Sequence, residues 1–350
     1  MLQINKNNIM KQSTDFAKYL AGFLNNYLTN ERGASNNTIK SYSYTFILFI
    51  NYMRDQKKIN INKLSFMHVT RPVIIEFLNW LQNNRGCSDA TRNQRLAAIS
   101  SFIKYAEYMN PAGLFQCHQI LSIPVKKVER KIISYLTIDG IKLLLQQPDT
   151  VKGKGMRDLA LLSLMYESAA RVQEIIDLTP SALYLQSKPY RVLLHGKGNK
   201  YRPVPLPEKE VQILLRYMTQ YDLLNRENTQ KPLFANNQDQ KMTRNGVNNI
   251  LVKYAKMAKA KEENLIPDNL SCHSMRHSKA MQLLESKVEL IHIKDFLGHK
   301  SVITTEIYAR VNPKYTFEAV KGAYKNITSD EIPVWEGNNE ILTMLKSFVK

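Results

Sequence analysis

The chain has 350 residues, long for one domain and comfortable for two, and carries a formal net charge of +19 from 49 Lys and Arg against 30 Asp and Glu. No stretch approaches the ~20 consecutive apolar residues of a membrane span, the longest apolar run being that near residues 44–50. The three cysteines, Cys87, Cys117 and Cys272, are widely spaced with no CxxC pair, which argues against a disulfide framework or a zinc ribbon. A reducing compartment is therefore expected, and a prokaryotic cytoplasm fits because the first residues, MLQINKNNIMKQ, hold no apolar leader segment.

The charge is spread along the chain. Residues 1–130 hold 17 basic and 7 acidic side chains and the remainder 32 and 23, so the two parts carry +10 and +9. A polyanion touched by both parts explains this better than a basic tail on a neutral enzyme, and nucleic acid is the expected polyanion. An acidic membrane surface is disfavoured because no amphipathic Lys/Arg helix is present.

In chain order, the first 110 residues predict four helices: about 14–30, a second from Ser35 through 56, a third opening at Thr70 with Pro72 in its first turn, and a fourth from Ser88 or Asp89 to Asn110-Pro111. Lys40, Arg92, Arg95 and Lys104 punctuate the second and fourth helices and are candidates to line a phosphate backbone. A proline- and charge-containing stretch reads as a linker over 121–134, between a helical domain at 1–120 and a second domain at 135–350. Helical periodicity resumes at Thr137 and again over 155–178. After Pro180 it gives way to alternation on both sides of GKGNK, so a β-hairpin within a small three-stranded sheet is expected. Helices return after Pro207 and continue to a tail helix from about 338. The fold class is mainly α with a small antiparallel sheet.

Four places carry chemistry. Arg171 falls near one face with Leu164, Ile175 and Leu178 if that helix runs on, and a guanidinium near a core-facing position needs an anion. Glu174, three residues on, or a ligand could supply it. In SCHSMRHS, His273 lies one helical turn from both Arg276 and His277. A cation between the histidines and the missing glutamate base argue against zinc, whereas His273 with Arg276 suits a phosphate. Lys197, in a glycine-rich hairpin tip without the GxxxxGK[ST] spacing, is not a nucleotide-binding loop, yet it could reach into a cleft and deliver a proton. In LGHKSVITTEIYAR, His299 and Tyr308 are nine residues apart. One continuous helix would rotate the second by roughly 900° and put them on opposite faces. Gly298 suits a helix stop and Ser301 or Thr304 a new start, so a turn is expected to bring them together.

Taken in order, Arg171 in ARVQEIIDL, Lys197 in GKGNKYRPVPL, His273 and Arg276 in HSMRH, His299 in LGH and Tyr308 in TTEIYAR resemble the tyrosine recombinases, the lambda-integrase and Xer-like group. The likeness covers about 134–312, and the helical amino-terminal part matches the family's core-binding domain in kind. One departure is Ala170, where many relatives have glycine before the arginine. The resemblance implies a core-binding bundle and a catalytic domain forming a clamp round double-stranded DNA. It also implies that Tyr308 attacks a phosphodiester and joins the 3′-phosphate, leaving a 5′-hydroxyl. Arg171, Arg276 and His299 would hold the phosphate, His273 would serve as base or shuttle, Lys197 as acid, and Glu174 would orient its neighbours. Lys200, Arg202 and Arg244 join the DNA-contact candidates. Neither metal, ATP nor another cofactor is implied, and four protomers on two duplexes exchanging strands through a Holliday junction is the family's arrangement. The expected role is integration or transposition of a mobile element, with Xer-type dimer resolution as the alternative. A type IB topoisomerase or a non-catalytic DNA-binding protein fits less well.

Overall fold

The computed structural model describes residues 14–128, 133–196, 200–311, 321 and 339–349. It divides into two compact units, Met1–Arg130 and Lys131–Lys350.

The first unit is a helical bundle. Helix α1 (Asp15–Gly22) starts where the Thr14 hydroxyl accepts a hydrogen bond from the Ala17 amide, and it continues in wider π-helical winding over Phe23–Glu31. That winding aligns residues five apart, and Phe23 and Leu28, both with no exposed surface, are the pair it buries. Helices α2 (Asn36–Asp55), α3 (Arg71–Asn83) and α4 (Asp89–Met109) follow, with Ser35 and Ser88 capping α2 and α4 through their hydroxyls. A further helix beyond the sequence reading, α5 (Leu114–Leu121), buries Cys117 and Ile120 against α3 and α4. Edge-to-face aromatic pairs knit the core: Phe102 meets Phe23 at 5.5 Å and Phe46 at 5.1 Å, and Phe49 meets Phe77 at 5.3 Å.

In the second unit α6 (Ile138–Leu145) leads to α7 (Gly155–Glu167), which is buried along most of its length. The helix does not run on to Arg171 as the periodicity suggested. Ala169 adopts a left-handed backbone (φ 47°), and a new helix, α8 (Val172–Ile176), starts with Arg171 as its N-cap. The antiparallel sheet has the order β1 (Leu183–Tyr184), β2 (Arg191–Gly196), β3 (Lys200–Pro205). Its register pairs Val192 with Val204, Leu194 with Arg202 and Gly196 with Lys200. Then come α9 (Glu208–Gln220), α10 (Arg244–Lys261), α11 (Cys272–Glu285), α12 (Leu290–Leu297) and α13 (Glu306–Val311). Helices α7 and α11 are tied by the Lys279–Glu167 ion pair (2.7 Å) and by the Tyr166 hydroxyl donating to Gln282 (2.8 Å). The tail helix is α14 (Asn339–Ser347). No helix of the described residues is long and apolar enough to cross a membrane.

Candidate active site

Chain breaks build the site. The left-handed turn at Ala169 ends α7 and presents Arg171 at the head of α8, where Glu174 accepts both the Arg171 amide (2.8 Å) and its Nη1 (2.8 Å). The left-handed residue is Ala169; Ala170, where many relatives have glycine, does not have a positive φ. Gly298 ends α12 in a left-handed conformation (φ 64°) that disfavours any side chain. A Cβ there would also stand 2.9 Å from Cδ of Arg202. After it, the Ser301 hydroxyl caps a short 3-10 turn, Val302–Thr304, and α13 follows. His299 lies in the first loop and Tyr308 on α13.

Around these breaks stand three guanidiniums and one carboxylate. Arg276, 2% exposed, donates from Nη1 to the Ala169 carbonyl (2.6 Å) and from Nη2 to the Leu297 carbonyl. It thereby ties α11 to the ends of α7 and α12. Arg171 donates from Nη2 to the Gly298 carbonyl (3.3 Å). Arg202 reaches the Phe296 carbonyl (3.2 Å) and gives two bonds to Glu174, at 3.2 and 3.1 Å. His299 Nδ1 lies 2.9 Å from the hydroxyl of buried Thr305. Tyr308 is 1% exposed, packs with Ala169, Met281, Ile293 and Leu297, and places its hydroxyl 2.9 Å from Nδ1 of His277.

Residues 134–314 match the Phage integrase family, and residues 20–108 match the Phage integrase N-terminal SAM-like domain. The tyrosine recombinase XerD of Staphylococcus epidermidis is 32% identical over 288 residues, covering 82% of this chain and 92% of that protein. The chain belongs to the phage integrase family of tyrosine recombinases. Its fold is that of XerH bound to a palindromic difH substrate in a post-cleavage complex (TM-score 0.64, 21% identity, 89% and 90% of the two chains). It is also that of the Tn1549 transposon integrase with transposon right-end DNA (TM-score 0.64, 13% identity, 86% and 99%).

The recombinase's sequence-derived candidates divide on this geometry. Arg171, Glu174, Arg276, His299 and Tyr308 stand at one site, with His273 exposed on the first turn of α11. Lys197 lies outside the described residues, between the paired Gly196 and Lys200. One candidate for DNA contact, Arg92, needs correction, and Arg202 is placed apart from the others. Arg202 shares the inner face of β3 with Val204 and stands in the arginine pocket, its side chain 14% exposed. Arg92 is 5% exposed and gives Nη1 to the Pro124 carbonyl (3.4 Å) and to Asn93, which leaves it little surface to offer a phosphate. Arg95 is a strut: it donates to the Ser41 carbonyl and the Thr45 hydroxyl and lies over the Tyr44 ring at 5.1 Å. Lys40, Lys104, Lys200 and Arg244 are exposed, Arg244 donating to Gln173 (2.9 Å). Glu174 orients two arginines, and its described bonds do not include a histidine.

Electrostatics match the inventory. Burial, then the neighbouring guanidiniums of Arg171 and Arg202, press down on the protonated form of Arg276. His299 is pulled to about 4 by burial and by Arg276, Arg171 and Arg202, and His277 to about 4 by burial, His273 and Arg276. Both imidazoles are neutral at pH 7. Burial raises the Tyr308 phenol to about 12, against the opposing pull of Arg276 and Arg171. The pocket is short of negative charge. Among the described residues no three His, Cys, Asp or Glu are grouped to hold a metal ion.

Two residues of this site were missed in sequence, His277, weighed only as half of a zinc pair, and Thr305, unmarked in TTEIY, while Arg202 was named only as a DNA-contact candidate. Each had a signal, namely the i, i+4 spacing on α11, the TT pair before α13, and the two-residue alternation with Val204.

Proposed function

We propose that the protein cuts and rejoins DNA at a specific site through a 3′-phosphotyrosyl intermediate and a Holliday junction. The observation that supports this is the cluster of Arg171, Arg202 and Arg276 around a single carboxylate, with the Tyr308 phenol beside it. A phosphodiester supplies the missing anion, and its pentavalent transition state concentrates further charge on the equatorial oxygens. Guanidinium N–H groups fixed by Glu174 and by backbone carbonyls are then preorganised to receive it. In neutral His299, Nδ1 accepts the Thr305 O–H, which leaves Nε2–H to donate to a phosphate oxygen. His273, at the mouth, adds a donor to the same phosphate. Lys197 protonates the departing 5′-oxygen. Tyr308 is 1% exposed, so DNA binding has to uncover the phenol to the phosphate while leaving its contact with His277 in place.

The active assembly is a homotetramer on two duplex sites in a prokaryotic cytoplasm. Its tail helix offers apolar side chains to the next protomer: Leu342, Leu345 and Phe348 are 51%, 46% and 77% exposed. Mobile-element integration or transposition is the first reading of the biological role. The 32% identity to XerD favours chromosome or plasmid dimer resolution as the second.

The test uses a nicked duplex carrying the recombination site, in EDTA. Wild type should form a covalent protein–DNA adduct and Tyr308→Phe should bind the DNA but form none. Lys197→Ala should cleave slowly and recover on a 5′-bridging phosphorothiolate, whose sulfur leaves without a proton, while Arg171→Ala should not recover. An adduct from Tyr308→Phe would sink the reading.

A further inference from the structure

The resemblance made His273 the base or shuttle for the phenol's proton. The geometry points elsewhere. The Tyr308 hydroxyl lies 2.9 Å from His277 Nδ1, with the two rings tilted at 61° and 5.6 Å between centroids. His273 stands edge-on to His277 at 4.7 Å between ring centroids, one helical turn earlier on α11. We propose that His277 is the catalytic base that accepts the Tyr308 proton, a role that rests on Tyr308 being the nucleophile.

The step balances as follows. The Tyr308 oxygen forms its bond to phosphorus as the bond from phosphorus to the 5′-oxygen breaks, and the phenolic proton passes to His277 Nδ1. The imidazole becomes an imidazolium, and the 5′-oxygen takes a proton from the Lys197 ammonium. Religation runs each transfer backwards, with the imidazolium returning its proton to the departing phenolate. A base of this kind has to be neutral with its lone pair on the phenol, and His277 meets that need in the tautomer that carries its proton on Nε2, with Nδ1 facing the hydroxyl. The charged groups facing His277 are Arg276 and, when protonated, His273, both on its own helix, while Tyr308 faces it from α13. Arg276 opposes formation of the imidazolium in the free protein. A phosphodiester seated on the arginines offsets that opposition, so proton transfer is coupled to substrate docking and idle ionisation of the phenol is suppressed.

The experiment compares single-turnover cleavage of the nicked substrate by wild type and His277→Asn, whose Oδ1 can keep the hydrogen bond near the Nδ1 position but cannot take the proton. DNA binding and the melting curve are followed in parallel. Loss of general-base catalysis should slow cleavage by about 10²–10⁴-fold with binding retained. The comparison is repeated with a fluorotyrosine at position 308: a more acidic phenol needs the base less, so the deficit should shrink. A purely structural contact would leave the deficit unchanged and overturn the proposal. Cleavage by His277→Asn within about threefold of wild type would overturn it as well, and faster cleavage would mark the contact as a latch on Tyr308. If His277→Asn does not fold, the pH–rate profiles of the wild type with tyrosine and with fluorotyrosine decide. An acid limb at the same pH for both supports His277, and a limb that moves with the phenol overturns it. The Tyr308→Phe control separates the readings, since an adduct there removes the nucleophile itself and not just its base.

Discussion

Removing Glu174 tests whether one carboxylate holds the arginine pocket together. Its side chain is 4% exposed and accepts four bonds: the Arg171 amide and Nη1, each at 2.8 Å, and two from Arg202 at 3.2 and 3.1 Å. The Arg202 side chain is 14% exposed, and that of Arg171 is 36% exposed. Breaking a buried ion pair by deleting one partner costs about 3–5 kcal/mol, because the other charge stays buried. The Arg171 arm is solvent-screened and adds at most ~1 kcal/mol. Glu174→Ala should therefore destabilise the second unit by about 3–5 kcal/mol, and Arg202→Ala by somewhat less, since Arg171 still neutralises Glu174. The double variant should lose far less than the sum, with a coupling of about 2–3 kcal/mol. Hydrogen exchange of amides in α8 and β3 is the appropriate measure, because it reports this unit separately from the amino-terminal bundle. Glu174→Gln keeps an acceptor for the Arg171 amide and should fold. Cleavage should still fall on the order of 10²-fold as the guanidiniums lose their anchor. Additive single losses, with coupling below ~0.5 kcal/mol, would refute the claim that the three side chains act as one unit.

Two further predictions follow from other parts of the second unit. Glu210 is 2% exposed, receives the Ser163 hydroxyl on one oxygen and has no partner for the other; burial lifts its carboxyl from an ordinary 4.5 to about 8, with Glu167 raising it and Ser163 and Lys279 lowering it. The unfolded chain ionises first, so stability should decline as pH rises between about 4.5 and about 8, and Glu210→Gln should flatten that slope in denaturant titrations; an unchanged slope would clear Glu210 of the effect. Deleting residues 338–350 should leave single-site DNA binding intact but weaken the two-site synapse and recombination. Normal synapses together with a less stable monomer would place the tail on its own chain.

The sequence disclosed this site where chemistry and chain breaks coincide in a few residues. Gly298 marked the stop after α12, and a cap at Ser301 marked the restart, because each feature satisfies a local backbone need that no tertiary contact overrides. The alternation around GKGNK likewise disclosed the hairpin, since β2 and β3 bury Val192, Leu194 and Val204 on one face. What was illegible depended on long-range packing. The run from α7 into Arg171 reads as one helix because Ala169 is a helix former. Only the burial of Ala169 in the cluster around Tyr308, with its carbonyl capped by Arg276, holds it left-handed. The π-winding after Gly22 has a similar origin, in an aromatic core that no local propensity announces. Arg92 and Arg95 look like surface cations in one dimension because the carbonyls that claim them are 32 and 54 residues away.

Those distant carbonyls also explain how the pocket tolerates its charge. Beyond the effect of burial, Arg171 depresses the protonated forms of Arg276 and Arg202, and Arg202 that of Arg276, so the cluster needs compensation that one carboxylate cannot supply. The carbonyls of Ala169, Phe296, Leu297 and Gly298 point their negative ends at the arginines, and all four belong to chain ends exposed by the breaks after α7 and α12. A helix terminus leaves carbonyls without internal partners, so the same interruptions that bring His299 and Tyr308 to the site create acceptors for the arginines. The compensation stays partial, because dipoles carry no net charge. An anion that binds only the folded pocket stabilises it by mass action. Phosphate recognition and the integrity of the catalytic unit are therefore linked through one set of hydrogen bonds.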